Sequence, residues 1–272
     1  MTIEVFGATH DDVPKIIDFV KQLAVYEKLE NEVDFTQRQY EVSLFRKPVS
    51  PFPEALIVAA DEVPIGFALF INILPSVIHL EDLFVSEKAR GKGAGLRLLN
   101  QLSKIAISRG IQSLEWACLD WNEPSLKFYT SIGAQPILNR VLYRITGHAL
   151  TSPKSTFSDV SEIQGSPVVV ELKSDKNTWL SYTLSFTTFL ATPVILVTEM
   201  HFSSEDFILL FFDYLKTKAI EKGYKRIDIR INPTNQQQLA QRLVSETHAF
   251  ELSGWIPFSL SGDALVKMAS SQ

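Results

Sequence analysis

Six residues, Arg90-Gly91-Lys92-Gly93-Ala94-Gly95, constrain the fold of this chain more than any other stretch. They follow an apolar run suited to a strand (77–85, VIHLEDLFV) and precede residues with helical spacing from about Leu96 to Arg109, closed by Gly110. A glycine turn between a strand and a helix N-terminus is an α/β feature. Three glycines strip side chains from the turn, so successive backbone N–H groups can converge on an anion, and the helix dipole adds partial positive charge. Arg90 and Lys92 supply fixed charge beside it. The natural occupant bears phosphate; the competing reading is a solvated basic turn capped by glycines. A nucleoside-triphosphate loop needs Lys followed by Ser or Thr after four spacer residues, a pattern missing here. A dinucleotide fold needs G-x-G-x-x-G after the first strand, whereas this loop is G-x-G-x-G and comes late. Glu115 lies where a ribose-binding acid would be counted, but in mid-strand. The pattern R-x-x-G-x-G fits at every position.

The rest of the first half reads as alternating short elements. Residues 2–6 alternate like a strand. A helix is predicted from near Asp11, with Asp12 in its first turn, Pro14 where a missing N–H costs little, and Val13, Ile16, Ile17, Val20, Leu23 and Ala24 on one apolar face. Thr36 caps a second helix to about Phe45, and a proline-rich loop follows (48–53). Runs 55–60 and 65–73 read as a hairpin turning at 62–64. After the glycine loop and its helix come a strand (112–119), a short helix (123–131) and a terminal strand or hairpin (136–146). Serine, threonine, proline and glycine dominate 147–166, which reads as a linker. Beyond it, strands are expected at 167–172, 179–186, 193–200, 225–231 and 255–260, and helices at 204–221 and 235–246.

The second half repeats the order of the first. With LFVS (83–86) set against MHFS (200–203), both run strand, helix, glycine (Gly110, Gly223), strand, short helix, then GA (133–134) or HA (248–249). From Ser86 to Gly110 is 24 positions and from Ser203 to Gly223 is 20, the shortfall falling at the glycine loop. The second helix starts directly, with Ser203 or Ser204 as its cap. This reads as a repeat that kept the scaffold and lost the cradle; two unrelated α/β halves are the bland alternative. The expected organisation is 1–148, a linker 149–166, and 167–272.

Bulk properties bound the function. Of 272 residues, 46% are hydrophobic and 21% charged, as in a soluble globular protein. A net charge of −5 argues against a nucleic-acid binder with a basic surface and is compatible with a cationic substrate. The single Cys118 excludes an intramolecular disulfide and a thiolate zinc site. The N-terminal segment shows no signal-peptide pattern and the apolar runs are too short to span a membrane, so a soluble, cytoplasmic protein with no membrane partner is expected.

The order of elements, with R-x-x-G-x-G between the fourth strand and third helix, resembles the GNAT superfamily of acyl-CoA N-acyltransferases. Within it the chain is similar to the diamine (spermidine/spermine) N-acetyltransferases through LAVYE (23–27), LEDLFV (80–85), RGKGAG (90–95), WNEPS (121–125), FY (128–129) and GA (133–134), over about residues 3–146. The resemblance implies a mixed-sheet α/β fold in tandem, the second copy lacking the cofactor loop. It implies acetyl-CoA as cofactor, no metal, and direct acetyl transfer to a primary amine of a small molecule: a diamine or polyamine, or a lysine-like amino acid. A protein or peptide acetyltransferase and a non-catalytic acyl-CoA-binding scaffold are the alternatives.

An alkyl ammonium has a pKa of about 10, so the site must accept a proton before the amine attacks, and must stabilise a departing thiolate. The resemblance gives the acid role to Tyr129 and the amine-facing carboxylate to Glu81, as base or charge anchor; Glu81 and Asp82 are neighbours on a strand, whose alternation sends them to opposite faces. It also implies that the cofactor is held by Leu83, Phe84 and Val85, by Arg90, Gly91, Lys92, Gly93, Ala94, Gly95 and Leu96, and by Asn122, Glu123, Pro124 and Ser125. Tyr26 and Glu27 match a substrate-contacting pair, and Asp82 joins Glu81 among the expected substrate contacts; read alone, Tyr26 and Glu27 are an ordinary helix end. Segment 135–140 (QPILNR) lacks the acidic residues that a long polyamine would use, and Asp18 stands where the subgroup tends to carry a basic residue. His79, Cys118 and the apolar runs 179–189 and 207–215 read as structural. In the repeat, Val244 and Thr198 replace Tyr129 and Glu81, so the second half is expected to be non-catalytic. It is expected to act as an intramolecular pseudo-dimer mate in a monomer, with a homodimer as the other possibility, or as a platform shaping the acceptor cleft.

Overall fold

The structure is a computed structural model describing residues 2–46, 51–150, 157–204 and 206–271. Residues 48–50 of the proline-rich loop and 151–156 of the expected linker lie outside the described residues. The chain forms two compact units. One comprises Met1–Pro136, Phe186–Thr192 and Ile256–Gln272; the other comprises Ile137–Ser185 and Pro193–Trp255.

The chain starts with β1 (Ile3–Gly7), α1 (Val13–Glu27), α2 (Gln37–Glu41), β2 (Pro53–Ala60), β3 (Val63–Leu74) and β4 (Val77–Val85). It continues with α3 (Ala94–Ser108), β5 (Ser113–Leu119), α4 (Glu123–Ser131) and β6 (Gln135–Pro136). Then follow β7 (Val141–Thr146), β8 (Val160–Ile163), β9 (Val168–Leu172), β10 (Trp179–Thr187), β11 (Thr192–His201), α5 (Phe207–Lys222), β12 (Arg226–Ile231), α6 (Gln237–Thr247) and β13 (Phe250–Glu251). The chain ends with β14 (Trp255–Ser261) and α7 (Gly262–Ser270).

The sheet of the first unit runs β1-β2-β3-β4-β5-β14-β6, and that of the second runs β13-β7-β12-β11-β10-β9-β8. Read from β1 and from β8 respectively, the two orders are the same: five strands of one half, one strand from the other half, then a two-residue edge. The repeat seen in the sequence is therefore a repeat of topology, with β7 and β14 exchanged between sheets. This corrects the expectation of one terminal strand or hairpin over 136–146. Alternation fixes which face of a strand is apolar but not which sheet receives it; β7 finds its antiparallel partners in β12 and β13.

Apolar faces explain the placement of the helices. α1 buries Val13, Ile16, Phe19, Val20, Leu23 and Ala24 against its sheet and stops at Lys28, which adopts a left-handed conformation (φ 61°). α3 buries Leu98, Leu99, Leu102 and Ala106 in a core that also takes Phe258 and Leu260 from β14 and Leu265 and Met268 from α7. The Asn100 amide holds the end of α7, donating to the carbonyls of Met268 (2.6 Å) and Ser271 (2.7 Å).

In the second unit, Arg144 on β7 and Arg226 on β12 each reach Asp228 at 2.8 Å. Burial works to raise the Asp228 pKa, but the two guanidiniums hold it below the usual carboxylate range. The cap expected at Ser203 or Ser204 is Asp206 instead, whose N–H donates to Ser204 Oγ (3.3 Å). The span read as linker contains β8, and β13 and α7 fall in stretches to which the sequence assigned no element. Among the described residues no helix is long and apolar enough to cross a membrane.

Candidate active site

β4 and β5 are parallel and paired only at Val77–Ser113, Ile78–Leu114 and His79–Glu115. Beyond His79 they part, which opens a gap at the carboxyl ends of two parallel strands, the usual place for a ligand in such sheets. The gap is edged on β4 by Leu80 to Val85 and on β5 by Trp116 to Leu119. The β4 residues expected to hold a cofactor arm, Leu83, Phe84 and Val85, lie along it. Their other edge is engaged with β3 (Ala68–Leu83, Phe67–Phe84, Gly66–Val85).

The glycine loop closes one end of the gap. Gly91 (φ 74°) and Gly93 (φ 84°) are left-handed, a conformation that a side chain disfavours, and a Cβ on either would meet no atom within 4 Å. Their bareness therefore serves the backbone path and the open space outside it, not internal packing. The first bond of α3 runs from the Arg97 N–H to the Gly93 carbonyl, so the N–H groups of Ala94, Gly95 and Leu96 point out of the helix end. Lys92 is exposed; Ala94 is buried. This cradle fits a diphosphate. Arg90 Nε donates to the Val85 carbonyl (3.0 Å) and its guanidinium lies 4.7 Å from the Tyr26 ring centre. It pins the loop to β4 and to the end of α1.

The opposite wall is the start of α4. Asn122 Oδ1 accepts from the Ser125 N–H (3.3 Å), capping the helix, and from Tyr26 Oη (3.0 Å). Asn122, Ser125 and Tyr26 are thus brought together. Pro124 occupies the first turn, where it loses no bond. Glu123 pairs with Lys127 (3.2 Å) on the exposed side, 75% exposed, and points to solvent.

Tyr129 sits one turn further on, 7% exposed, among Trp116 (5.0 Å between ring centres), Phe128 (5.5 Å) and Phe258 (5.8 Å). Burial, and then the fields of Cys118, Glu27 and Tyr26, raise its pKa, so the phenol keeps its proton throughout the neutral range. Glu27 is pushed up to about 7 by burial and by the Glu81 carboxylate. Cys118, raised to about 12 by burial and Glu27, is an inert thiol at the floor of the same region.

Glu81 stands on a bulge. Leu69 faces Asp82 and Phe70 faces Leu80, which leaves Glu81 as the extra residue on β4. The bulge interrupts the strict alternation expected for Glu81 and Asp82. Glu81 Oε2 is 3.2 Å from His79 Nε2, and His79 Nδ1 is buried without a hydrogen-bond partner. Asp82 is 8% exposed.

Sequence reasoning missed Tyr40, whose hydroxyl donates to the Thr188 carbonyl (2.6 Å), and the segment 186–192 that joins it in this unit. Ser43 Oγ donates to Ala191 O (3.2 Å) and the Asp34 N–H to Phe189 O (2.8 Å). No local motif marks a segment 148 residues away from Tyr40. Among the described residues no cluster of three metal-ligating side chains occurs.

Residues 21–134 match the acetyltransferase (GNAT) family. Over 191 residues, covering 53% of this chain and 84% of the relative, the protein is 29% identical to an L-ornithine N5-acetyltransferase of Arabidopsis thaliana. It is 27% identical over 142 residues, 48% of this chain and 82% of the relative, to a thialysine N-epsilon-acetyltransferase of Bos taurus. A tandem GNAT protein from the clavulanic acid biosynthesis pathway superposes with a TM-score of 0.55 at 12% identity, covering 96% of this chain and 98% of that one, a likeness of fold. The fold and the glycine cradle define an acyltransferase of the GNAT class. Residues 21–134 carry the GNAT match, which with the relatives supports an acetyl-CoA-dependent N-acetyltransferase, and the chain has the fold of tandem GNAT proteins, its second half without a glycine loop.

Proposed function

We propose that the first unit transfers an acetyl group to the primary amine of a small cation, a diamine or an amino acid with a basic side chain, and that the second unit performs no transfer. Acetyl-CoA supplies the activated acetyl group as a thioester; the residues of this chain supply position and proton control. The amides of Ala94, Gly95 and Leu96 hold the diphosphate, with Lys92 adding charge, and the open edge of Leu83–Val85 takes the extended arm as an added strand would be taken. Glu27 and Glu81 face the amine. Their charge attracts the ammonium, and a carboxylate poised near 7 is matched to removing its proton at neutral pH. Tyr129 Oη, kept protonated by burial and by nearby acids, is available to a developing thiolate.

The observation that supports this reading is the position of Glu27, close enough to feel the Glu81 carboxylate and to raise the proton affinity of Tyr129. The relatives named for ornithine and thialysine support an amino-acid acceptor, and segment 135–140, without acids, supports a short one. In the second unit, residues 202–206 (FSSED) replace the cradle and contain no glycine, and Thr198 and Val244 stand where Glu81 and Tyr129 stand. The test is an acceptor panel with acetyl-CoA, read by free thiol. Ornithine, lysine analogues and short diamines are expected to release thiol with higher kcat/KM than spermine or lysine-containing peptides. Turnover confined to peptides, or none on any amine, would contradict the proposal.

A further inference from the structure

The second unit has a gap of its own. β11 and β12, the parallel pair of its sheet, are paired at Ile195–Ile227, Leu196–Asp228 and Val197–Ile229, then part. In the repeat alignment Leu196 and Asp228 correspond to His79 and Glu115, the last paired residues before the β4–β5 gap opens. The strands of the second unit stay paired one residue further, through Val197–Ile229, and then separate as those of the first unit do. In the second unit the opening is a cleft of about 480 Å³, lined by Thr198 to His201 on β11, by Arg230 and Ile231 on β12 and by Asn232 just beyond it. That volume suits a small molecule.

The lining is chemically two-sided. Arg140, Arg230 and His201 bring cationic or proton-donating groups to the cleft, Glu199 brings one carboxylate, and Trp179 and Met200 bring apolar surface. None of these residues belongs to the acetyl-transfer machinery. Without a glycine cradle the cleft has no seat for a diphosphate. We propose that this cleft binds a zwitterionic amino acid, its carboxylate on Arg230 and Arg140, its ammonium on Glu199, and its side chain against Trp179 and Met200. A planar guanidinium fork matches a carboxylate bidentately, which favours this class over a simple cation or an uncharged ligand. The inference is independent of the acceptor assigned to the first unit.

Two tryptophans make the test specific. Trp179 lines this cleft, whereas Trp121 lies at the catalytic gap, 5.7 Å from Tyr26 between ring centres. Indole N–H resonances of the full-length protein, assigned with Trp→Phe variants, are followed by NMR during titration with L-methionine, L-glutamate and L-lysine, and with acetate and putrescine as single-charge controls. At least one amino acid is expected to shift Trp179 saturably, with the controls inert there. Arg230→Gln and the exposed Glu199→Gln should each weaken that binding tenfold or more, while the Trp121 response persists. The proposal is overturned if no amino acid moves Trp179, if acetate or putrescine moves it equally, or if folded Glu199→Gln and Arg230→Gln proteins bind as the wild type does. If Arg230→Gln does not fold, the wild-type titration and Glu199→Gln decide.

Discussion

Ending the chain after residue 148 would remove β14 and α7 while sparing every residue proposed for acetyl transfer. The structure sets the size of the effect. Phe258, Leu260, Leu265 and Met268 are between 0 and 5% exposed in the core of the first unit. Fully burying such side chains contributes about 1.5–3 kcal/mol each, so the four together contribute about 6–12 kcal/mol. An extended-chain reference makes this an upper bound. A whole domain is stable by only about 5–15 kcal/mol. The lost side chains alone therefore match the stability of the unit, before the open edge of β5 is considered. Residues 1–148 alone are expected to show no cooperative thermal transition in near-ultraviolet circular dichroism. The same residues carrying 255–272 on a flexible linker are expected to recover one. A milder perturbation, Leu260→Ala in the full chain, should cost about 2–5 kcal/mol. A sharp melt of residues 1–148 within a few degrees of the intact protein would refute the assignment of β14 to this core.

Other expectations concern the site. Tyr129→Phe should lower kcat about 10²–10⁴-fold with little change in affinity for coenzyme A; an unchanged kcat would remove Tyr129 from the chemistry. Gly93→Ala meets open space but must hold a left-handed backbone at about 1–2 kcal/mol, so the KM for acetyl-CoA should rise about 5–30-fold, whereas an unaffected KM would show that the loop is not the cradle. Glu27 carries a folded-state pKa raised from 4.5 to about 7. Between those values the folded protein binds more protons than the unfolded chain, so its contribution to stability is present below about 4.5 and is lost as pH rises through 7. Removing the titration with Glu27→Gln should flatten both the stability loss and the rise of kcat/KM across that window. Matching wild-type and variant profiles would exclude Glu27 as the group responsible.

Much of the fold was legible because its signals are local. The alternation of 77–85, the periodic apolar residues of α3 and α1, and the three glycines of 91–95 each follow from backbone sterics or from one apolar face. The internal repeat was legible too, since matching positions such as Gly110 and Gly223 end matching helices. What stayed hidden depends on pairings distant in sequence. The amphipathic strand 141–146 does not encode its sheet, and β14 joins β5 across more than a hundred residues. The bulge at Glu81 arises from the register with β3, which alternation within β4 cannot announce. Tyr40 was passed over because its partner is the carbonyl of Thr188, a contact that no side-chain pattern announces. Arg90 is expected at the cofactor from its charge and the R-x-x-G-x-G resemblance; its Nε bond to the Val85 carbonyl, which also holds the loop, is a backbone contact that no motif announces.

The central claim is that one diphosphate cradle, at residues 90–95, serves the whole chain. Titration calorimetry of the full-length protein with coenzyme A tests it most directly. One site per chain is expected, weakened at least tenfold by Gly93→Val. Two sites per chain, or affinity indifferent to that substitution in a folded protein, would contradict it.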